Sequence, residues 1–232
     1  MSESYHGEAH RQITTGWFRA GVFGASDGLV TNISLILGFA GANPGHSVVR
    51  LAGLAGLVAG GFSMATGEWI SMRAQKESLE YEIEVERESL ATSPVEERHE
   101  LQLIFESRGI EPDLADRLAT DLMRDPDLAL RTHAREELGI DPSATGSPWT
   151  AAISSFIAFS FGALIPLMPW LVTSHGSDVG WSIGLGAAAA LTFGGVIGWF
   201  IRRGTWRWAS RQLVVTALAA AVTFGVGRLV GS

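Results

Sequence analysis

The sequence predicts an all-α membrane protein, with five transmembrane helices and a cytoplasmic helical metal-binding insert between helices 2 and 3. Three observations predict it. Five runs reach the ~20 mostly apolar residues that a helix needs to cross a ~30 Å hydrocarbon core. Charge is partitioned: residues 73–148 hold 19 acidic and 9 basic residues, a net of −10, while the rest of the chain nets +3. All eight tryptophans fall near the ends of the proposed spans, where amphipathic rings favour the headgroup zone. The mean hydropathy of +0.21 therefore averages two unlike materials, and an ordinary soluble globule is excluded. The implied domains are 1–72, 73–148 and 149–232.

Composition also bounds the chemistry. The formal charge of −7 argues against nucleic acid as a partner. The absence of cysteine excludes disulfides, thiolate metal ligands and thiol nucleophiles, so a bound metal must use oxygen, nitrogen or thioether donors.

The first span, Trp17–Gly41, carries Asp27 in its middle and is too long for a signal peptide, so it is expected to stay in the mature protein. The second is Leu51–Met72, and the last three are Ala151–Val172, Trp181–Ile201 and Trp208–Val230. Pro166 and Pro169 should kink the third near one end. Pairs such as Gly56/Gly60 and Gly194/Gly198, four residues apart, suit close helix approach, and Gly53, Gly67, Gly184 and Gly186 add small surfaces. Arg11, Arg19, Arg73, Lys76, Arg202, Arg203, Arg207 and Arg211 all flank one side. The positive-inside tendency then puts the N-terminus and the acidic insert in the cytoplasm and the C-terminus outside.

An ionisable group in hydrocarbon needs protein or water around it. Asp27 lies near the midplane of the first span, with Thr31, Asn32 and Ser34 adding polar atoms. On the second span Met64, Glu68 and Met72 form one stripe at i, i+4 and i+8. Carboxylate and thioether together suit a borderline dication such as Fe²⁺, oxygen-rich sites also suit Mn²⁺, and the same carboxylates could pass protons. Each also has a plain structural reading: Asp27 as a hydrogen-bonded pin between helices, Glu68 as a carboxylate reaching water, Met64 as core packing.

In the insert, Gln75–Leu90 reads as the second helix continuing into water, with Glu80, Glu82, Glu84, Glu86 and Glu88 at alternate positions. Ser93, Pro94 and Glu96 form a capping box for the next helix, which carries Glu97 and Glu100 at i, i+3 and ends at Gly109. Pro112 opens a third, running to about Arg124. Asp125-Pro126 opens a fourth, with His133 and Glu137 at i, i+4, ending near Gly139. Like charges at helical spacing destabilise a helix, and a cation between them reverses the sign. The candidate metal ligands are Glu82, Glu86, Glu88, Glu97, Glu100, His133 and Glu137. Glu96-x-x-His99 matches half of a di-iron ligand set and lacks the rest.

The strings FGASDGLVTN (Phe23–Asn32) and FSMATGEWIS (Phe62–Ser71), then a Glu-rich helix and ELGI (Glu137–Ile140), resemble the vacuolar iron transporter family along nearly the whole chain. The resemblance implies a homodimer that exports cytosolic Fe²⁺, and often Mn²⁺ or related ions, in exchange for protons. It implies an ion path between the subunits along the first two helices, with Asp27 and Met64 on it. It also assigns Glu86, Glu97, Glu100 and Glu137 to metal-binding positions of the insert. The chain departs from the family pattern at Ala20 and Gly56, where acids are expected, at Ser89 in place of a glutamate, and at His133 in place of a methionine. Glu68 is a candidate substitute for the missing membrane acids, and Glu82 or Glu88 for the missing insert acid.

The expected function is thus a proton-coupled divalent-metal exporter using Asp27, Asn32, Met64 and Glu68 in the membrane, with Fe²⁺ as substrate and Mn²⁺, Zn²⁺ or Co²⁺ as further candidates. Competing readings are a membrane-anchored ferroxidase and an iron sensor, both of which leave Asp27 without a purpose. Composition points to a bacterial plasma membrane, with a vacuolar membrane as the alternative. His6 and His10 offer a weak further site in the N-terminal tail.

Overall fold

A computed structural model describes residues 16–137, 139, 146–172 and 178–232, with the backbone alone described for 16–20. His6 and His10 lie outside the described residues, as do Leu138 and Ile140 of the ELGI string. The described elements are all helical: α1 (Gly16–Gly41), α2 (His46–Thr92), α3 (Pro94–Ser107), α4 (Pro112–Leu122), α5 (Pro126–Glu136), α6 (Pro148–Val172), α7 (Asp178–Phe200) and α8 (Thr205–Val230). Five of them, α1, α2, α6, α7 and α8, are long and apolar enough to cross a membrane. α2 continues without a break through its glutamate-rich half, as the run-on reading expects. Packing divides the chain into two units, one ending at Ile70 and resuming over Pro148–Ser232, the other Ser71–Ser147.

In the first unit α1 is the central helix, packed by α6, α7 and α8. Leu29, Ile33, Ile36 and Leu37 from α1 are buried against Leu167 and Trp170 of α6, Ala189 and Ala190 of α7, and Ala220 of α8. Glycines set how closely these helices approach. A Cβ at Gly28 would overlap the carbonyl oxygen of Phe159, and one at Gly162 that of Ala25, so α1 and α6 touch backbone to backbone. Gly227 stands in the same relation to the Gly38 carbonyl across α1 and α8. The expected pair Gly194/Gly198 does bring α7 onto Trp208, Ala209 and Thr205 of α8. Gly56 and Gly60 behave differently: side chains fill the space, Leu35 and Asn32 at the first and the Phe159 ring at the second. Gly67 and Gly184 meet nothing within 4 Å.

α6 runs through both prolines. Proline removes ladder donors, and membrane helices tolerate this where neighbours supply partners. The carbonyls they leave without a ladder donor are those of Gly162 and Ile165; next to them, Ser182 of α7 donates to the Pro166 carbonyl (2.7 Å) and accepts from Trp170 Nε1 (2.9 Å). Trp170 is consequently buried, whereas its place near a span end predicts a ring in the headgroup zone. A polar pair the sequence analysis did not single out sits beside it. His46 Nε2, at the start of α2, lies 3.2 Å from the buried Asp178 carboxylate that opens α7, and the His46 ring packs 5.2 Å from that of Trp170.

In the second unit, α3 and α4 share a core of Leu101, Phe105, Ala115 and Ala119, with Ile110 and Leu122 against it. Gly109 takes φ +90, a left-handed turn that glycine adopts freely, and so ends α3. Asp125 caps α5, its Oδ1 accepting from the N–H groups of Asp127 (3.0 Å) and Leu128 (3.2 Å). The expected capping box at Ser93 does not form. Ser93 has φ −131 and ψ 49 and its side chain makes no capping bond, so α3 starts on Pro94 at its first position alone. Ion pairs Arg98–Asp116 and Arg108–Glu136 link α3 to α4 and to α5.

Candidate metal centre

Three helices of the second unit each bring acid or imidazole to one point. Glu86 comes from α2, Glu97 from the first turn of α3, and His133 with Glu137 from the last turn and C-cap of α5. One ligand atom from each lies within 4.8 Å of the others. His133 Nδ1 is 3.1 Å from Glu86 Oε1, 3.7 Å from Glu97 Oε2 and 3.8 Å from Glu137 Oε2. Ligands of one dication stand at most about 4.4 Å apart, twice a ~2.2 Å bond, so a movement of a few tenths of an ångström closes the set on an ion.

The cluster is buried and electrostatically unbalanced. His133 is 0% exposed and Glu86 6%. Both His133 ring nitrogens and Glu86 Oε1 lack a hydrogen-bond partner: the 3.1 Å approach has the wrong angle for one. Buried polar atoms are nearly always partnered, and two orphans facing each other, His133 Nδ1 and Glu86 Oε1, mark a place for a cation. Burial pushes the Glu86 carboxyl up to about 7, and the nearby Glu137, Glu97 and Glu100 push the same way. Glu97 and Glu137 are also raised, burial first and neighbouring carboxylates second. Burial lowers the His133 imidazole, opposed by Glu100. The group is thus three carboxyls that resist ionising and an imidazole that resists protonation, and a dication satisfies all four. Glu137 also stands at a helix C-terminus, where negative charge is disfavoured and a cation favoured.

The sign of the pH dependence follows. A carboxyl raised in the folded state stabilises the metal-free fold below its ordinary value of 4.5, and that contribution is lost as pH rises through about 7. Metal binding runs the other way because Glu86 must lose its proton. With Mn²⁺ as probe, the full-length protein is expected to bind about tenfold more weakly for each pH unit below 7. Glu86→Gln should flatten that dependence. Calorimetric titration across pH 5.5–8 checks both, and an unchanged slope in the variant refutes the assignment.

The other insert candidates are placed differently. Glu100 is exposed and contributes no atom to the group of four, yet its charge acts on every member. Glu82 and Glu88 are exposed and outside the group. Glu82 stands about 6 Å along the helix axis from Glu86, and Glu88 is turned about 200° from it. Glu96 and His99 are exposed as well, so the ExxH pattern brings nothing to the cluster.

In the membrane unit, Asp27 is exposed on α1 beside Thr31, whose Oγ1 donates to Asp27 Oδ1 at 3.4 Å. Asn32 faces inward: it is 0% exposed, and its Nδ2 donates to the Ala163 carbonyl at 2.6 Å, tying α1 to α6. It is therefore separated from Asp27 by the width of α1, with its Oδ1 turned towards Gly56. Met64 and Glu68 are half-buried on α2.

Five helices fit to span a membrane and a buried carboxylate–imidazole cluster fit for a divalent cation define a metal-handling membrane protein. The chain belongs to the VIT family, whose model matches residues 18–228. It is 36% identical to "Vacuolar iron transporter" of Acanthamoeba castellanii, over 96% of this chain and 83% of that one. It is 29% identical to "Vacuolar iron transporter 1" of Oryza sativa subsp. japonica (99% and 92% covered) and 30% identical to "Vacuolar iron transporter 1" of Arabidopsis thaliana (97% and 90%). The family read from the FGASDGLVTN and FSMATGEWIS strings is thereby established.

Proposed function

We infer that the chain moves Fe²⁺, and with it Mn²⁺, out of the cytosol in exchange for protons. One observation carries the reading: the Asp27 carboxylate stands at mid-span on the exposed surface of the helix bundle. A lone protomer would hold that charge against lipid at a cost of ~2.5–3.5 kcal/mol by insertion scales. A second copy covering this face removes the cost and turns the exposed surface into an internal path, so the functional unit is a homodimer with Asp27, Met64 and Glu68 along the seam. The relatives named as iron transporters support iron as the cargo.

The acidic unit lies on the cytosolic side in this reading and gathers cations at Glu86, Glu97, His133 and Glu137 before they enter the membrane. Hard carboxylates with one imidazole suit Fe²⁺ and Mn²⁺, and accept Co²⁺ and Zn²⁺. The membrane is plasma or vacuolar; the relatives above are named for the vacuole, and the composition-based expectation of a bacterial plasma membrane gains no support from them. The cytosolic face is the same in either case. A ferroxidase of the di-iron kind needs two adjacent irons. Among the described residues the one qualifying cluster offers a single imidazole and three carboxylates, enough for one ion.

Flux into proteoliposomes, run with Fe²⁺, Mn²⁺, Co²⁺ and Zn²⁺ with and without an opposing pH gradient, tests the reading. Uptake that rises with the gradient is expected; uptake indifferent to it removes proton coupling. The gathering role has its own test. Mn²⁺ should raise the melting temperature of the full-length protein, as any ligand of the folded state does. His133→Ala should weaken binding roughly tenfold or more, since even outer-shell losses at metal sites cost that much. An equal Mn²⁺ response in the variant removes His133 from the site.

A further inference from the structure

The short connection between α7 and α8 gathers positive charge with no counter-charge of its own. Arg202, Arg203, Arg207 and Arg211 are all exposed, and the chain contains no acidic residue after Asp178. Among the described residues, no ion pair involves Arg202, Arg203 or Arg207. Arg211 lies over the Trp208 ring, 5.4 Å from its centroid.

The turn that presents them is fixed. The Arg203 N–H bonds to the Gly198 carbonyl (3.2 Å) and that of Arg202 to Trp199 (3.3 Å), while the Arg207 N–H bonds to Gly204 (3.1 Å). Gly204 takes φ +77 and Arg202 φ +53, a left-handed conformation costing a non-glycine residue ~1 kcal/mol or more. Gly198 seats the turn directly on Thr205 and Trp208. Two tryptophans flank the arginines and point outward, Trp199 at 65% exposure and Trp206 at 74%. Since α7 and α8 are both spans, this places four guanidinium groups at headgroup height on the bundle surface, with indole rings marking the boundary. Guanidinium binds phosphate oxygens bidentately.

We propose that the α7–α8 turn is a binding site for anionic phospholipid headgroups, with Arg202, Arg203 and Arg207 holding the phosphate and Trp199 and Trp206 seating the glycerol region. The site commits to lipid rather than a soluble anion because the arginines lie between two membrane-spanning helices and beside outward indoles. It is independent of what the protein transports.

The test uses the full chain in phosphatidylcholine nanodiscs with and without phosphatidylglycerol, read by native mass spectrometry and by melting temperature. The wild type is expected to retain phosphatidylglycerol selectively and to melt higher in its presence. Arg202→Gln, Arg203→Gln and Arg207→Gln should each weaken retention roughly fivefold, and the triple variant should lose the lipid-dependent shift while melting like wild type in phosphatidylcholine. A triple Lys variant should keep part of the shift, and serves as the comparison if the Gln triple does not fold. A wild type without lipid preference overturns the proposal, as does a Gln triple that keeps the full preference. So does inorganic phosphate reproducing the shift in phosphatidylcholine discs, which would mark a soluble-anion site.

Discussion

Asp27→Asn is expected to reduce Fe²⁺ flux into proteoliposomes to the background of empty vesicles while leaving the protein at least as stable as wild type. The amide keeps the shape of the carboxylate and still accepts from Thr31 Oγ1, so the local hydrogen bond survives. What disappears is the charge. Removing a charge from mid-span relieves a cost of ~2.5–3.5 kcal/mol where lipid surrounds it, and less where a partner subunit or water does. Fold and flux are therefore expected to move in opposite directions. A structural pin behaves otherwise: its loss lowers the melting temperature and flux falls only in proportion to unfolded protein. Flux assays and thermal melts on one preparation separate the two. Wild-type flux in Asp27→Asn, or a lower melting temperature together with lost flux, removes Asp27 from the ion path.

Gly28→Ala and Gly162→Ala are expected to be, with Gly227→Ala, the most damaging single methyl additions in the membrane unit. Each Cβ would be driven into a backbone carbonyl of the facing helix, Phe159 in the first case and Ala25 in the second. Backbone cannot rotate aside as a side chain can, so α1 and α6 must separate. Overpacking of this kind costs about 3 kcal/mol or more, which lowers the melting temperature of a chain this long by roughly 10 °C. Gly67→Ala is the matched control: nothing lies within 4 Å of its Cβ position, and a change near zero is expected. Equal melting of Gly28→Ala, Gly162→Ala and Gly67→Ala would show that α1 and α6 do not meet as closely as described.

The spans were legible in the sequence because membrane crossing imposes length and apolarity on a contiguous run. The helices of the acidic unit were legible because Pro94, Pro112, Asp125 and Gly109 punctuate the chain at their ends. Helical spacing pointed to shared-face pairs such as Glu97 with Glu100 and His133 with Glu137, and the family resemblance pointed to Glu86, Glu97, Glu100 and Glu137. Spacing within one helix cannot say which turn a second helix will meet, and so Glu82 and Glu88 looked equivalent to Glu86. The Gly28–Gly162 contact and the His46–Asp178 pair were out of reach for a related reason. Each joins residues more than 130 positions apart, and neither partner carries a local pattern that names the other. Asn32 looked like part of the polar patch around Asp27 until its angular position on α1 turned it towards Ala163.

The contrast among the glycines has a mechanical outcome. Around α1, the neighbours α6 and α8 touch peptide group to peptide group at Gly28, Gly162 and Gly227, between patches of packed side chains, so these helices are keyed together like parts of a casting. α2 is mounted differently. The nearest atoms to a Cβ at Gly53, Gly56, Gly60 or Gly61 belong to the side chains of Leu167, Ile36, Leu35, Asn32, Phe159, Phe156 and Ser160, and none of them is backbone. On the transport reading proposed above, α2 is the helix of this unit whose glycine contacts could shift without parting one backbone from another.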